Sequence, residues 1–217
     1  MTDRAAISVL QRATSAIVSD ALDRMGLREQ ALDPAIRPAW PGARVVGLAM
    51  PVEVVCDTAV PERPYAGEMA ALDALMPGEV PVLGIGAGSR AAAWGELFSC
   101  GAMGRGAVGV ICDGYIRDAR QIEELGYPTF ARGCSPLDTL GRAVVASYGE
   151  SAICGGVRIS RGDLMVADAD GIVAVPSDAI EAVADAVASK RKLEEGARAD
   201  LLAGMSIHAV WDKYQVF

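Results

Sequence analysis

The sequence predicts an α/β domain, and three observations carry that reading. Between residues 80 and 131, short Val-rich runs alternate with segments of helical periodicity, the pattern of a parallel βαβα core joined by crossover helices. Between residues 155 and 176, three shorter apolar runs are separated by tight polar turns, which implies a small antiparallel patch. The apolar fraction of 52% is rich in Ala and Val while aromatics make up 5%, so the core packs through small and branched side chains. The 217 residues suit one domain spanning 1–217, with no internal repeat, low-complexity tract or linker.

The elements follow in order. Residues 4–25 place Ile7, Leu10, Ile17, Val18, Ala21 and Leu22 at helical spacing, interrupted at Ser19-Asp20 and ended by Gly26. Pro34, Pro38 and Pro41 predict an extended loop, and the Val-dense residues 43–56 a buried strand. A Pro77-Gly78 turn leads into a strand at 80–83, closed by Gly84-Ile85-Gly86-Ala87-Gly88. Residues 91–105 read as helix, 108–112 as strand, Asp113-Gly114 as a turn, 118–125 as helix and 128–131 as strand. Short strands are expected at 157–159, 164–166 and 172–175. A helix then begins near Ser177 with Ile180, Val183 and Val187 on one face, followed by a charged stretch and a short helix from Ser206.

Several function classes are excluded. A formal charge of −8 without a basic stripe argues against nucleic acid as a partner. No window approaches 18 uncharged apolar residues, so no membrane span is expected. The first 17 residues carry Asp3, Arg4 and Arg12 and lack the hydrophobic stretch of a signal peptide. The five cysteines form no CxxC pair and several lie in apolar runs, so free buried thiols in a reducing, cytoplasmic setting are expected. His208 is the only histidine, which rules out a multi-histidine zinc site within the chain and makes a Ser-His-Asp triad improbable. Acid–base chemistry must then come from carboxylates, Lys, Tyr or metal-bound water.

Ligands of parallel α/β layers sit beyond the carboxyl ends of the strands. Two loops of that kind stand out, one leading into Gly95-Glu96-Leu97-Phe98 and one carrying Tyr115-Ile116-Arg117-Asp118. Adjacent parallel strands would bring Glu96, Arg117 and Asp118 to one cleft across an interval of 20 residues. Backbone N–H groups at Leu97 and Phe98 could hold a carboxylate, and Arg117 an oxyanion such as an enolate. Asp118 could ligate Mg²⁺, which needs only one or two protein carboxylates. On spacing alone the same residues also fit a surface salt bridge beside a solvated glutamate.

The stretch from Gly95-Glu96-Leu97 through Gly114-Tyr115-Ile116-Arg117-Asp118 to Ala131-Arg132-Gly133-Cys134-Ser135-Pro136 resembles the core of the HMG/CHA aldolase (class II pyruvate aldolase), RraA-like family. Its motif is an acidic residue, twenty residues, then Arg-Asp. Ser19-Asp20-Ala21-Leu22-Asp23 and the segments Gly162-Asp163 and Val166-Ala167-Asp168-Ala169-Asp170-Gly171-Ile172-Val173 agree in the right order. The resemblance implies a three-layer β/β/α fold of the swivelling kind, trimers or hexamers with sites at subunit interfaces, and a 2-oxo acid substrate. It implies retro-aldol cleavage of a 4-hydroxy-2-oxo acid to pyruvate with Mg²⁺, Mn²⁺ or another divalent metal, often with oxaloacetate decarboxylation. Residues 95–98 would bind the substrate carboxylate, Arg117 the 2-oxo oxygen and enolate, and Asp118 the metal. Glu96 would organise a metal-bound water as general base or acid. This chain departs from the family in having Glu96 where Asp is usual and Gln121 where an acidic residue is frequent.

Three other readings compete. A non-catalytic regulator of ribonuclease E is the alternative within the same resemblance, but retention of Glu96, Arg117 and Asp118 favours the enzyme. An oxaloacetate decarboxylase without an aldol substrate would use the same enolate machinery. The run 82–89 resembles a methyltransferase glycine loop, yet Gly84 and Arg90 stand where that loop would carry an acidic residue and a glycine. Asp168 and Asp170 lack the rest of a calcium loop and are expected in a β-turn with Gly171 at positive φ.

Overall fold

The computed structural model describes residues 4–85 and 88–217. The N-terminal half carries α1 (Arg4–Leu10), α2 (Ser15–Arg24), β1 (Arg37–Pro38), β2 (Val45–Cys56), α3 (Ala66–Asp73), β3 (Glu79–Ile85), β4 (Ala92–Trp94) and α4 (Glu96–Gly104). There follow β5 (Val110–Ile116), α5 (Ala119–Glu124), β6 (Thr129–Cys134), β7 (Ala143–Tyr148), β8 (Ser151–Cys154) and β9 (Val157–Ser160). The chain continues through β10 (Leu164–Ala167), β11 (Ile172–Val175), α6 (Ile180–Leu202) and α7 (Ile207–Tyr214).

The main sheet runs β1-β6-β5-β3-β2-β10-β11, with β4 added to β5 and β7 to β2. Its centre is parallel, because α3, α4 and α5 return the chain to the same edge after β2, β4 and β5. Its flanks are antiparallel: β1 on β6, and β10 and β7 on successive halves of one side of β2. Side chains alternate along β2, so Val46, Met50, Val52 and Val54 face helices while Val45 and Ala49 face the other way. Over the helical face, α3, α4 and α5 contribute Ala71, Ala102 and Ile122, and α1, α2 and α6 contribute Leu10, Val18 and Val187. On the opposite face lies the β8–β9 hairpin, through Cys154, Val157 and Ile159. Hairpin, sheet and helices make the three-layer β/β/α arrangement. No helix among the described residues is long and apolar enough to cross a membrane.

The hairpin presses on β3 so closely that a Cβ at Gly84 would lie 2.2 Å from the Ile153 carbonyl oxygen. Close backbone approach therefore accounts for the first glycine of the glycine-rich run; Gly86 and Ala87 lie outside the described residues, as does Asp3.

Some elements differ from expectation, each for a local reason. The helix expected over 91–105 begins only at Glu96, because residues 92–94 pair with β5 as β4. Asp113-Gly114 is no turn but a bulge inside β5, where a Cβ at Gly114 would come within 2.5 Å of Ile85 Cδ1. The N-terminal helix breaks at 11–14 rather than at Ser19-Asp20, since Thr14 caps α2 by accepting the Ile17 N–H. The charged stretch after Val187 is the second half of α6, rich in strong helix formers. Gly171 is absent from the positive-φ residues; the turn closes instead through the Asp170 N–H on Asp168 Oδ1 and the Asp168 N–H on the Gly171 carbonyl. All five thiols are free, but only Cys112 and Cys154 are buried.

Candidate active site

β4 and β5 end side by side, with Trp94 opposite Ile116 and the Arg117 N–H donating to the Trp94 carbonyl at 2.9 Å. That pairing juxtaposes Gly95-Glu96 with Arg117-Asp118 although 20 residues lie between Glu96 and Arg117. Gly95 is extended (φ −156°), so backbone freedom is not its purpose. Its use is room: a Cβ there would meet Asp118 Oδ2 at 2.8 Å and Arg117 Cγ at 3.1 Å. Asp118 has a left-handed backbone (φ 57°), which turns its carboxylate back onto the start of α4, where Oδ2 accepts the Glu96 N–H at 3.3 Å. Gly95 gives α4 no side-chain cap of its own and Asp118 reaches only the Glu96 N–H, so the N–H groups of Leu97 and Phe98 at the first turn stand available to an anion. The Trp94 indole N–H donates to Ser99 Oγ (2.8 Å) and that hydroxyl to the Gly95 carbonyl (3.1 Å), which holds this turn in place. Phe98 packs edge-on against Trp94 with ring centres 5.8 Å apart.

Arg117 is held by two carboxylates. Its Nη1 lies 2.6 Å from Asp138 Oδ2 and its Nε 3.6 Å from Asp118 Oδ2. The bond to Asp138 holds the Arg117 pKa above its ordinary value despite partial burial. Burial alone would raise the Asp138 pKa, but bonds from the Leu140 N–H, Arg117 and Tyr65 outweigh it and hold the carboxyl below the usual range. Burial and the bond to Asp138 together push the Tyr65 phenol upward.

These groups line a cleft of about 220 Å³ that includes Tyr65, Trp94, Phe98, Arg117, Asp118 and Asp138. A broader depression of about 490 Å³ adjoins the same Arg117-Asp118 pair, with Cys134, Ser135 and Pro136 on its far side. Of the residues singled out in the sequence, Gly95, Leu97, Phe98, Arg117 and Asp118 meet in the cleft. Glu96 contributes its N–H there, but its carboxylate turns one helical turn along α4, where Oε1 accepts the Cys100 thiol at 3.3 Å. That bond, more than burial, raises the Cys100 pKa. Gln121 is exposed on α5, and His208 is exposed on α7.

Two cleft residues, Asp138 and Tyr65, were missed by sequence reasoning. Asp138 lies on the loop after β6, the next parallel strand, so the strand-end rule that selected the other two loops would have selected it as well. Tyr65 precedes α3 in a left-handed conformation (φ 59°) for which the sequence carries no signal. Other residues of the recognised segments serve the scaffold. Arg132 joins Asp113 and Asp33, and Asp20 pairs with the buried Lys190 of α6. Asp163 accepts the N–H groups of Ser160 and Ser177.

The donor set fits a hard cation held by few protein ligands. Both contacts to the Asp118 carboxylate fall on Oδ2, and its side chain is 40% exposed. Among the described residues no cluster of three or more His, Cys, Asp or Glu side chains could hold a metal. A single exposed carboxylate suits Mg²⁺ with most of its water shell retained, and suits zinc poorly.

Fold and cleft together define an α/β protein with an arginine–carboxylate site at the carboxyl ends of the parallel strands in a mixed sheet. The chain belongs to the RraA-like family: the family model, described as Aldolase/RraA, matches residues 15–174. It is 31% identical over 201 residues to a Halalkalibacterium halodurans protein named "Putative 4-hydroxy-4-methyl-2-oxoglutarate aldolase", covering 90% of this chain and 89% of that one. It is 25% identical to protein DlpA of Legionella pneumophila over 92% of its length, but spans only 32% of DlpA. Among solved structures, Streptomyces coelicolor RraAS2, described as an unusual member of the RNase ES inhibitor RraA protein family, superposes with a TM-score of 0.79 at 27% identity. That match covers 90% of this chain and 96% of RraAS2.

Proposed function

We propose that the chain is a divalent-metal-dependent carbon–carbon lyase that releases pyruvate from a 4-hydroxy-2-oxo acid by retro-aldol cleavage, and decarboxylates oxaloacetate as a second activity. The substrate is of the 4-hydroxy-4-methyl-2-oxoglutarate or 4-carboxy-4-hydroxy-2-oxoadipate type, as the name of the H. halodurans relative suggests. The observation that carries the reading is the meeting of the first turn of α4, at Leu97 and Phe98, with Arg117 and Asp118 in one cleft.

The substrate's C1 carboxylate would lie on the N–H groups of Leu97 and Phe98, with Arg117 at the 2-oxo oxygen. Asp118 would hold Mg²⁺ or Mn²⁺, which supplies Lewis-acid polarisation of the 2-oxo group when bound. The C3–C4 bond then breaks, its electron pair passes to the 2-oxo oxygen as an enolate, and the 4-hydroxyl gives up its proton as C4 becomes a carbonyl. Arg117 stabilises the enolate charge where it develops. Protonation at C3 yields pyruvate. Oxaloacetate reaches the same enolate by losing carbon dioxide, so one arrangement serves both reactions. Glu96, once its carboxylate leaves Cys100, would organise the water that exchanges the 4-hydroxyl proton. Leu97, 77% exposed at the cleft rim, supports an interface site within a homotrimer or hexamer, and the free thiols fit a cytoplasmic setting.

The test is pyruvate formation from oxaloacetate and from a 4-hydroxy-2-oxo diacid, coupled to lactate dehydrogenase, with Mg²⁺ or Mn²⁺ and after chelation. Metal-dependent release above background is expected; its absence with both acids would sink the lyase reading. The likeness to RraAS2 favours a second reading, a regulator that binds a ribonuclease E-type enzyme. Inhibition of such a ribonuclease that survives Arg117→Ala, without any pyruvate release, would establish it instead.

A further inference from the structure

We propose that Asp138, itself held by Tyr65, is the positioning residue that aims Arg117 at the 2-oxo oxygen, an inference that rests on the lyase reading above. The Asp138 carboxylate receives four hydrogen bonds, one of them a long contact of 3.5 Å from the Thr139 hydroxyl to Oδ1. Oδ1 accepts the Leu140 N–H at 2.9 Å and the Tyr65 hydroxyl at 3.1 Å, and Oδ2 accepts Arg117 Nη1 at 2.6 Å. The bonds on Oδ1 come from a backbone amide, from a ring at the head of α3 and, at greater length, from the neighbouring Thr139 hydroxyl, so the carboxylate is held in place and Oδ2 points at the guanidinium.

Arg117 depends on that contact. Its side chain is 41% exposed, and its other carboxylate neighbour, Asp118, stands 3.6 Å away. An arginine so exposed samples many rotamers unless one strong bond selects among them. Transition-state stabilisation requires the charge to be in place before the enolate forms. Binding through Nη1 leaves Nη2 to meet the oxyanion. The Tyr65 hydroxyl, by donating to the same carboxylate, offsets part of the negative charge that Asp138 would otherwise set against the guanidinium.

The backbone adds an independent observation. Among the described residues, the non-glycine positions with a left-handed backbone are Tyr65, Asp118 and Gln215, and the first two line this cleft. An aromatic residue rarely adopts that conformation, and such strain persists where the surroundings over-determine it. At Tyr65 it accompanies the phenol's bond to Asp138. The competing role is structural: Asp138 also organises its own turn, with its carbonyl accepting Arg142 Nη1 at 3.1 Å. A turn-stabilising role affects folding, whereas a positioning role affects turnover in folded protein.

The experiment compares wild type, Asp138→Asn, Tyr65→Phe and the double variant in steady-state oxaloacetate turnover with Mg²⁺, beside their melting temperatures. Asp138→Asn keeps the shape and an acceptor but loses the charge. It is expected to lower kcat about 10- to 100-fold with KM changed less than about threefold, since the lost interaction strengthens in the transition state. Tyr65→Phe should lower kcat about three- to tenfold, and the double variant should be no slower than Asp138→Asn alone, because both act through one contact. Single variants within twofold of the wild-type kcat, or effects that multiply in the double variant, overturn the proposal. If wild type releases no pyruvate, the lyase reading falls, and the positioning role is decided by calorimetric binding of oxalate, a planar enolate mimic, with Mg²⁺. Wild type binding about tenfold more tightly than Asp138→Asn upholds it, and equal behaviour overturns it.

Discussion

One methyl group at position 95 would divide the residues that define the site. Gly95 has an extended backbone any residue can adopt, so Gly95→Ala strains nothing locally. The added Cβ would sit 2.8 Å from Asp118 Oδ2, and the exposed carboxylate is the group free to move. Gly95→Ala should therefore cut pyruvate release at least about tenfold, as misplacement near an ångström does, with a melting temperature close to wild type. A collapse in stability with normal turnover per folded molecule would refute that account. Asp118→Ala and Arg117→Ala should separate cleanly. The first loses both turnover and Mn²⁺ binding followed by electron paramagnetic resonance, while the second loses turnover and keeps most of the metal affinity. Retained pyruvate release in either contradicts the assigned role. Glu96→Asp should be tolerated better than Glu96→Gln if a charged organiser of water is needed. The residues Gly95, Arg117 and Asp118 were legible because strand ends in a parallel sheet gather at one edge. Asp138, four residues past the end of β6, was open to the same strand-end rule but was not picked out, whereas Tyr65 reaches the cleft through a left-handed backbone that no periodicity encodes.

At the scale of elements, close contacts between layers decide what each short segment becomes. Residues 92–94 contain helix-favouring alanines, yet the open side of β5 and the Leu137 carbonyl, which accepts the Ala92 N–H at 2.8 Å, make them a strand. Partners distant in sequence override local propensity there, which is why the helix expected from residue 91 starts only at Glu96. The parallel strands and the first half of α6 were readable because each carries its own apolar period, whereas the charged second half of α6 was not. The β8–β9 hairpin depends instead on Gly84 beneath it. Gly84→Ala should destabilise the protein by about 1–3 kcal/mol through overpacking, or roughly 2–12 °C in melting temperature for a chain of this size. An unchanged melting curve would show that the hairpin can lift at no cost. The opposite end of the sheet is tied by Asp168, which accepts the Ser15 N–H and hydroxyl at 2.7 and 2.6 Å. Burial raises its pKa, but these bonds and those from residues 170 and 171 outweigh it, so the folded pKa is lowered. A lowered carboxylate contributes stability above its unfolded pKa, about 3.9, and loses it as pH falls through the folded value. Asp168→Asn should thus cost about 1–2 kcal/mol at pH 7, and urea melts should show that difference shrinking below about pH 4. A difference constant with pH would mean that the charge on Asp168 contributes nothing.

For the whole molecule, the separation between what holds the fold and what performs the chemistry has a measurable consequence. Three apolar clusters, one against α3–α5, one against α1, α2 and α6, and one beneath the hairpin, bury the sheet on both faces. The charged ties away from the cleft, Arg132 with Asp113 and Asp33, Lys190 with Asp20, and Arg161 with Glu79, join neighbouring elements without facing it. The site sits on the rim, where Asp118 is exposed and no cluster of three or more potential ligands exists among the described residues. Structural metals stabilise a fold when several ligands are gathered from distant segments, with binding free energies on the order of 10 kcal/mol or more. A cation on one exposed carboxylate closes no loop and stitches no layers together. Chelation with EDTA should therefore abolish turnover while moving the melting temperature by less than about 2 °C, a shift of under 1 kcal/mol for a chain of this length. Restoring Mg²⁺ or Mn²⁺ should recover the full rate without refolding. A large drop in melting temperature on chelation would instead mean that the metal has ligands beyond this cleft, as a neighbouring subunit would supply, and would move the metal from the chemistry of the cleft into the architecture of the assembly.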